Sequence, residues 1–390
     1  MSDTDLRHPV EVPGIDRSAL TPVVRRVLDS HTAEVVDWHS ELLHGKFSAA
    51  SFTGGGIFRL SGTAADLGET KPWSVVLKVS GIGSEEPTSR YYWRRELLAY
   101  ESGLLDDLPD GLVAPRCFGG LEIEGQRTWL WLEETRAANS RQPWPLPRYG
   151  LAARHLGRLS GAYLTDLPLP GYPWLSRDLV REPNTMLELS VDEMWRRYPT
   201  VRDHPIVRRI WPGDVGERAH RIWQERERFI EALDRLPQTV CHQDFKRGNL
   251  LCRRRADGVE ETVAVDWTFM GIGAIGYDVH ALGLGNAFTS DVAPDKLPEL
   301  GQIVFEAYVE GLRDSGWRGD IRLARLGFAA SLALGAAFPE AVWMTLDQAK
   351  QVAQMQGRTL EEMAETQVGR KLANLDLADE AKSLLPLVGL

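Results

Sequence analysis

Three side chains within eight residues, and a fourth beyond a turn, carry groups suited to chemistry on phosphates. The segment HQDFKRGNLLCRRRADGVEETVAVDW holds His242, Asp244 and Asn249, and then Asp266. Asp257-Gly258, between the runs LLCRR and TVAVD, is a strong signal for a two-residue hairpin turn. A tight turn there sets Asn249 opposite Asp266 at the open end of the hairpin, with Cβ atoms about 4.5–5.5 Å apart. A bulge would shift that register. An amide oxygen and a carboxylate converging on one point are the hard ligands that Mg2+ takes, the remainder being water and nucleotide phosphates. Asp244 lies on the loop that enters the hairpin, close enough to approach a nucleophile beside such a metal.

This is the arrangement that phosphoryl transfer requires: an Asp to orient a hydroxyl and accept its proton, with an Asn and a second Asp for the metal. The same chemistry wants a strand lysine for the phosphates, a helix glutamate to hold that lysine, and a glycine turn over the nucleotide. Lys78 stands in the strand-like run SVVLKVS. In the helix-like stretch after it, Trp93, Leu97, Tyr100 and Leu104 form an apolar stripe at helical spacing. Glu96 borders that stripe and can point toward the strand of Lys78. Gly54, Gly55 and Gly56 fill the first turn of the same region, where backbone N–H groups can approach phosphate oxygens without a Cβ in the way.

A different nucleotide chemistry is spelled by GIGAIG, with Gly271, Gly273 and Gly276 after the run TVAVDW. A dinucleotide fold needs the first glycine to turn directly from strand to helix, and a second strand ending in an acid about 20 residues on. Here Thr268, Phe269 and Met270 intervene, and no convincing second strand follows. The GIGAIG string therefore fails as a dinucleotide site. Gly120 to Gly125 fails as a phosphate loop, because Gln126-Arg127 stands where Lys-Ser/Thr is required.

The elements that must position these residues fall into two textures. Helices open the chain, with Thr21 and Pro22 as a candidate N-cap and first helical residue. Strand-like runs begin at about residue 46: FSAASFT, IFRLSG and WSVVLKVS, then APRCFGGLEI and RTWLWLEE after the Glu96 helix. Beyond Glu134 the pattern is mostly helical, apart from a β-region at about 238–266. The division expected is an N-terminal helical extension over 1–45, a β-rich lobe over 46–135 and a larger helical lobe over 136–390.

Composition bounds the rest. The 390 residues are 43% hydrophobic and 26% charged, an ordinary globular balance. The net charge of −10 argues against a nucleic-acid partner. The apolar stretch from Phe328 to Phe338 stops at Pro339, too short to span a bilayer. MSDTDLRHP has no secretory pattern, and Cys117, Cys241 and Cys252 form no C-x-x-C pair. A cytoplasmic protein without a membrane partner is expected.

With HQDFKRGN, VDW and GIGAIGYD in view, residues 46–285 resemble the aminoglycoside phosphotransferase and choline kinase-like family of small-molecule kinases. The resemblance implies an α+β, bilobal protein-kinase-like fold with a small β-rich N-lobe and a larger, mostly helical C-lobe. It implies ATP (or GTP) and Mg2+ as cofactors and a small-molecule hydroxyl as phosphoryl acceptor. Asp244 matches the family's catalytic Asp, and Asn249 and Asp266 its metal ligands. Lys78 would hold the α- and β-phosphates and pair with Glu96, Gly54 to Gly56 would cover them, and Lys246 could touch the γ-phosphate. The nucleotide base would rest near Leu132 to Thr135. Gly271, Gly273 and Asp278-Val279 fill the short connector that replaces a protein kinase's activation segment. Three consecutive glycines, in place of a spaced pattern, depart from the usual phosphate-covering turn.

Structural roles are expected for His242, as a brace of the loop, and for Asp278, as an N-cap or loop anchor. The tryptophans read as core, with Trp267 a possible border of the acceptor pocket. Helices of the large lobe would shape that pocket, from SVDEMWRRY, 215–236 and LARLGFAASLALGAAFPEAVWMTLDQ, and an antibiotic, a choline-like alcohol or a sugar would suit the chemistry. A nucleotide-binding pseudokinase with a regulatory role is the rival reading, and the absence of D-F-G and A-P-E segments disfavours a protein substrate.

Overall fold

A computed structural model of the chain describes residues 15–44, 55–80, 83–123, 127–135, 143–178, 180–282, 292–338, 354 and 359–390. The chain divides into two units, the first formed by Met1–Leu108, Val113–Ala138 and Leu251–Phe269, the second by Pro109–Leu112, Asn139–Leu250 and Met270–Leu390. The architecture is α+β, the first unit β-rich and the second mostly helical.

Helix α1 (Arg17–Val27) starts one turn before the expected Thr21-Pro22 boundary. Asp16 is its cap, accepting the Ala19 N–H at 2.9 Å. Thr21 instead turns its hydroxyl back onto the Arg17 carbonyl at 2.8 Å. The stretch expected as a helical extension then contains a strand, β1 (Glu34–His44), paired antiparallel with β2 (Gly56–Asp66). Two register shifts, between Val35 and Asp37 and between Leu42 and His44, break its alternation. A strand whose period of two is interrupted twice gives no clean β pattern in sequence. The expected strand FSAASFT lies outside the described residues.

β2 pairs with β3 (Glu69–Val79), and β3 with β6 (Arg127–Leu132), which also pairs with β5 (Cys117–Ile123). The resulting five-stranded sheet runs β1-β2-β3-β6-β5. Leu20, Val23 and Val24 of α1 pack with Val35, Leu60, Val75, Leu77 and Trp131 as its core. The two-residue strand β4 is Leu112–Val113. Helix α2 (Arg95–Glu101) is shorter than the expected helix and buries Glu96 and Leu97.

The hairpin after HQDFKRGN is present as β8 (Leu250–Arg254) and β9 (Glu260–Ala264). Its turn is not the tight two-residue kind. Arg255 N–H donates to Val259 O at 2.9 Å and Gly258 N–H to Arg255 O at 3.0 Å, with Gly258 left-handed at φ 87°. This is a turn over Ala256, Asp257 and Gly258 closed by a glycine bulge. Arg253 therefore faces Glu261 at 2.8 Å, and Arg254 faces Glu260 at 2.6 Å. The register is one residue off the one that sets Asn249 opposite Asp266.

The second unit packs α3 (Leu146–Thr165) against α8 (Leu297–Asp314), and α9 (Ile321–Ala336) against α10 (Leu360–Leu384). Between α3 and α8 in sequence come α4 (Arg181–Val201), α5 (Pro205–Ile210), α6 (Val215–Gln224), α7 (Arg226–Arg235) and β7 (Gln238–Cys241). The glycines that mimic a dinucleotide motif have a packing role. Gly271–Ala274 is a strand, β10, paired with β7. Gly276 is left-handed at φ 79°, and a Cβ there would lie 2.0 Å from the Ala324 carbonyl oxygen of α9. No helix among the described residues is long and apolar enough to cross a membrane.

Candidate active site

In the first unit, the third strand carries Lys78 into a nearly closed cluster. Lys78 Nζ lies 2.5 Å from Glu96 Oε2 and 2.7 Å from Asp266 Oδ1. The Lys78 and Glu96 side chains are almost fully buried, and that of Asp266 is 16% exposed. Burial alone would pull the Lys78 ammonium down, but the Asp266 and Glu96 carboxylates outweigh it and hold its pKa above the ordinary lysine range. Burial pushes the Glu96 carboxyl up, with Lys78 opposing and the Asp266 charge adding to the rise.

Asp266 is not a strand residue. It sits in the left-handed region at φ 67°, an uncommon conformation for a side-chain-bearing residue and one that Asp tolerates better than most. The backbone beyond it is fixed from α2: Trp267 N–H donates to Glu96 Oε1 at 3.1 Å, and the Thr268 hydroxyl lies 3.1 Å from Glu96 Oε2. Trp267 itself is fully buried, its indole N–H on the Ala264 carbonyl at 3.0 Å, so it is a core residue.

Gly56 opens β2 opposite Val79, and the next pair is Ile57 with Lys78. The end of the glycine turn is thus beside the lysine's strand, with Gly55 just before it. Gly54 lies outside the described residues. Of the stretch expected to meet a base, Glu133 N–H is engaged by the Arg116 carbonyl at 2.8 Å.

The second unit holds the loop between β7 and β8. The Asp278 carboxylate accepts the backbone N–H groups of His242 at 2.6 Å and Gln243 at 2.7 Å. Gln243 is left-handed at φ 73°. The next residue, Asp244, donates its N–H to His242 Nδ1 at 3.3 Å. His242 is fully buried, and its ring packs edge-on with Phe245. His242 and Asp278 are therefore supports of the loop.

Within that loop, Asn249 Nδ2 donates to the Asp244 carbonyl at 3.0 Å and to Asp244 Oδ2 at 2.8 Å. The amide NH2 is committed to the loop, which leaves its oxygen as the atom that would meet a cation. Lys246 Nζ pairs with the same Asp244 Oδ2 at 2.7 Å. The structure thus brings Lys78, Glu96 and Asp266 together in one unit, and Asp244, Lys246 and Asn249 together in the other.

The residues present fit a magnesium nucleotide. Two carboxylates meet one ammonium at Lys78, an excess of negative charge that suits a divalent cation, and Asp266 offers the hard oxygen it prefers. Sequence reasoning missed Thr268 and Arg95. The fully buried Arg95 donates to the carbonyls of Pro87, Ser89, Arg90 and Thr268. Arg95 reads in sequence as one more charge of a solvated helix face, and Thr268 as filler before the glycines.

Several solved structures are similar to this chain. A choline kinase from Cryptosporidium parvum Iowa II is 12% identical, with 90% of this chain and 92% of that one covered at a TM-score of 0.46. A spectinomycin phosphotransferase in complex with ADP and spectinomycin is 11% identical, with 91% and 99% covered at 0.46. An amicoumacin kinase in complex with AMP-PNP, Ca2+ and Ami is 14% identical, with 83% and 88% covered at 0.44. No curated protein sequence matches the chain. The model of the phosphotransferase enzyme family matches residues 69–318, well over half of the 390. The chain belongs to the phosphotransferase enzyme family.

Proposed function

We propose that this protein transfers the γ-phosphoryl group of ATP or GTP, with Mg2+, to a hydroxyl of a small molecule. The observation that carries the reading is the buried cluster of Lys78, Glu96 and Asp266, with Nζ–O distances of 2.5 and 2.7 Å. A lysine held this way is a fixed cation for nucleotide phosphates, and its raised pKa keeps it charged throughout the physiological range. Bound Mg2+ would supply charge neutralisation at the phosphate oxygens.

The protein's own groups divide the remaining work. Lys78 holds the α- and β-phosphates, and Glu96 fixes Lys78. Asp266 and the Asn249 oxygen serve as metal ligands. Asp244 orients the acceptor hydroxyl and accepts its proton. Lys246, paired with Asp244 at 2.7 Å, is in reach of that carboxylate and is the cation to meet the γ-phosphate. Asp278 keeps the loop in the conformation that presents Asp244. Gly55 and Gly56, with Gly54, cover the phosphates. The acceptor is an antibiotic, a choline-like alcohol or a sugar, a choice made by helices of the second unit.

The test is ADP release across a panel of hydroxylated metabolites and antibiotics, with Asp244→Asn as control. The expected result is turnover on at least one acceptor, which Asp244→Asn lowers at least about a hundredfold while nucleotide affinity changes little. Nucleotide binding without turnover on any acceptor, or undiminished phosphotransfer by Asp244→Asn, would overturn the reading.

A further inference from the structure

The charged groups around Lys78 share an uncharged partner. Thr268 Oγ1 lies 2.7 Å from Asp266 Oδ1, 3.1 Å from Glu96 Oε2 and 3.2 Å from Lys78 Nζ. A hydroxyl has one proton and two lone pairs. Thr268 therefore accepts from Lys78 and donates to one carboxylate at a time, and the shorter distance selects Asp266 in the structure described. Its surroundings keep the oxygen in place. Arg95 holds the Thr268 carbonyl at 3.4 Å, Glu96 Oε1 holds the Trp267 N–H at 3.1 Å, and the Phe269 ring lies under Arg90 at 4.7 Å with Tyr91 edge-on. Turning the O–H from Asp266 to Glu96 requires rotation of a hydrogen and displacement of no heavy atom.

We propose that Thr268 is a positioning residue whose hydroxyl re-aims from Asp266 to Glu96 when a divalent cation engages Asp266, and so links metal occupancy to the Lys78–Glu96 ion pair. The inference rests on the assignment of Asp266 as a metal ligand made above. A cation at Asp266 takes over the electrostatic role that Lys78 and the Thr268 O–H fill without it. The hydroxyl then becomes a donor to Glu96 Oε2, a buried carboxylate that must share its Lys78 partner with the phosphates. An apolar residue at 268 removes that compensation, and the cation must displace Lys78 from Asp266 unaided.

The experiment is calorimetric titration with a non-hydrolysable ATP analogue at graded MgCl2, using wild type, Thr268→Ser, Thr268→Val and Thr268→Ala. Wild type and Thr268→Ser are expected to reach half-maximal binding at Mg2+ concentrations within about twofold of each other. Thr268→Val and Thr268→Ala should require about tenfold more Mg2+, the scale of one hydrogen bond to a buried charge. At saturating Mg2+ all four should bind the analogue within about twofold. Two apolar variants keep the comparison readable if one folds poorly. Equal Mg2+ requirements in Ser, Val and Ala would overturn the inference alone. So would weakening by the same factor at every Mg2+ concentration, which marks a purely structural role. Failure of the wild type to bind the analogue at any Mg2+ concentration would overturn the phosphotransferase reading, and this inference with it.

Discussion

Asp278 Oδ1 accepts the backbone N–H of Gln243 at 2.7 Å, and Gln243 is held at φ 73° directly before Asp244. The other oxygen of the same carboxylate takes the His242 N–H at 2.6 Å. A left-handed residue with a side chain costs on the order of 1–3 kcal/mol and persists only where its surroundings impose it. Asp278 supplies that imposition from 35 residues away.

Removing it should release the loop. Asp278→Ala leaves two buried N–H groups without an acceptor and is expected to cost about 3 kcal/mol of stability. Turnover should fall more than about a hundredfold, because Asp244 is no longer aimed. Asp278→Asn keeps one acceptor oxygen and should lie between the two. Urea denaturation together with ADP release reads both effects. Unchanged turnover in Asp278→Ala would remove the loop-anchor role.

Lys78 and Glu96 should behave as a coupled pair. Lys78→Met leaves two carboxylates facing one another in a buried site and is expected to destabilise by about 3–5 kcal/mol. Adding Glu96→Gln should recover much of that loss, since the excess negative charge is relieved. A double-mutant cycle by chemical denaturation measures the coupling. Additive single effects would show that the ion pair contributes nothing of its own.

His155 makes a pH-dependent contribution. It is 3% exposed, and burial first, then the charges of Arg158 and Arg148, lower its pKa to about 4 from near 6.5. A depressed histidine binds its proton more readily in the unfolded chain. Stability is therefore fully present above about pH 6.5 and is lost as pH falls toward 4, by on the order of 3 kcal/mol in all. His155→Gln should flatten that part of the stability–pH curve, measured as the difference from wild type. A wild-type and variant pair with parallel curves between pH 4 and 6.5 would contradict it.

Gly258 sets the hairpin register through its left-handed turn position, and among the described residues no group outside the turn approaches within 4 Å of where its Cβ would stand. Gly258→Ala therefore tests backbone conformation alone and should cost about 1–2 kcal/mol. Thermal unfolding gives the value. An unchanged midpoint would mean that the turn relaxes to another type.

Much of the fold class was legible because its signals are local. SVVLKVS, RTWLWLEE and the apolar periodicity after Glu134 each report a period over a few residues. β1 was not legible, since its two register shifts scramble the alternation around Asp37 and Leu42. The start of α1 was misplaced because Thr21-Pro22 is a good cap pattern in isolation, while Asp16 caps in fact. The turn at Asp257-Gly258 was visible, but not its length, because the same dipeptide suits a two-residue turn and the bulged one. One extra residue there changes which side chains face each other.

Taken alone, the sequence determined which groups are available: the H-x-D-x-x-x-x-N spacing of His242, Asp244 and Asn249, the strand lysine Lys78, the helix acid Glu96 and the later Asp266. These are matters of residue type and short-range spacing. Only the tertiary structure decided that Asp266 is left-handed and bonded to Lys78 across 188 residues, that Thr268 meets Glu96 across 172, and that Asp278 pins the loop before Asp244. Hydrogen bonds between residues so far apart leave no periodic trace along the chain, and they come into being when the folded sheet and helices bring their ends together.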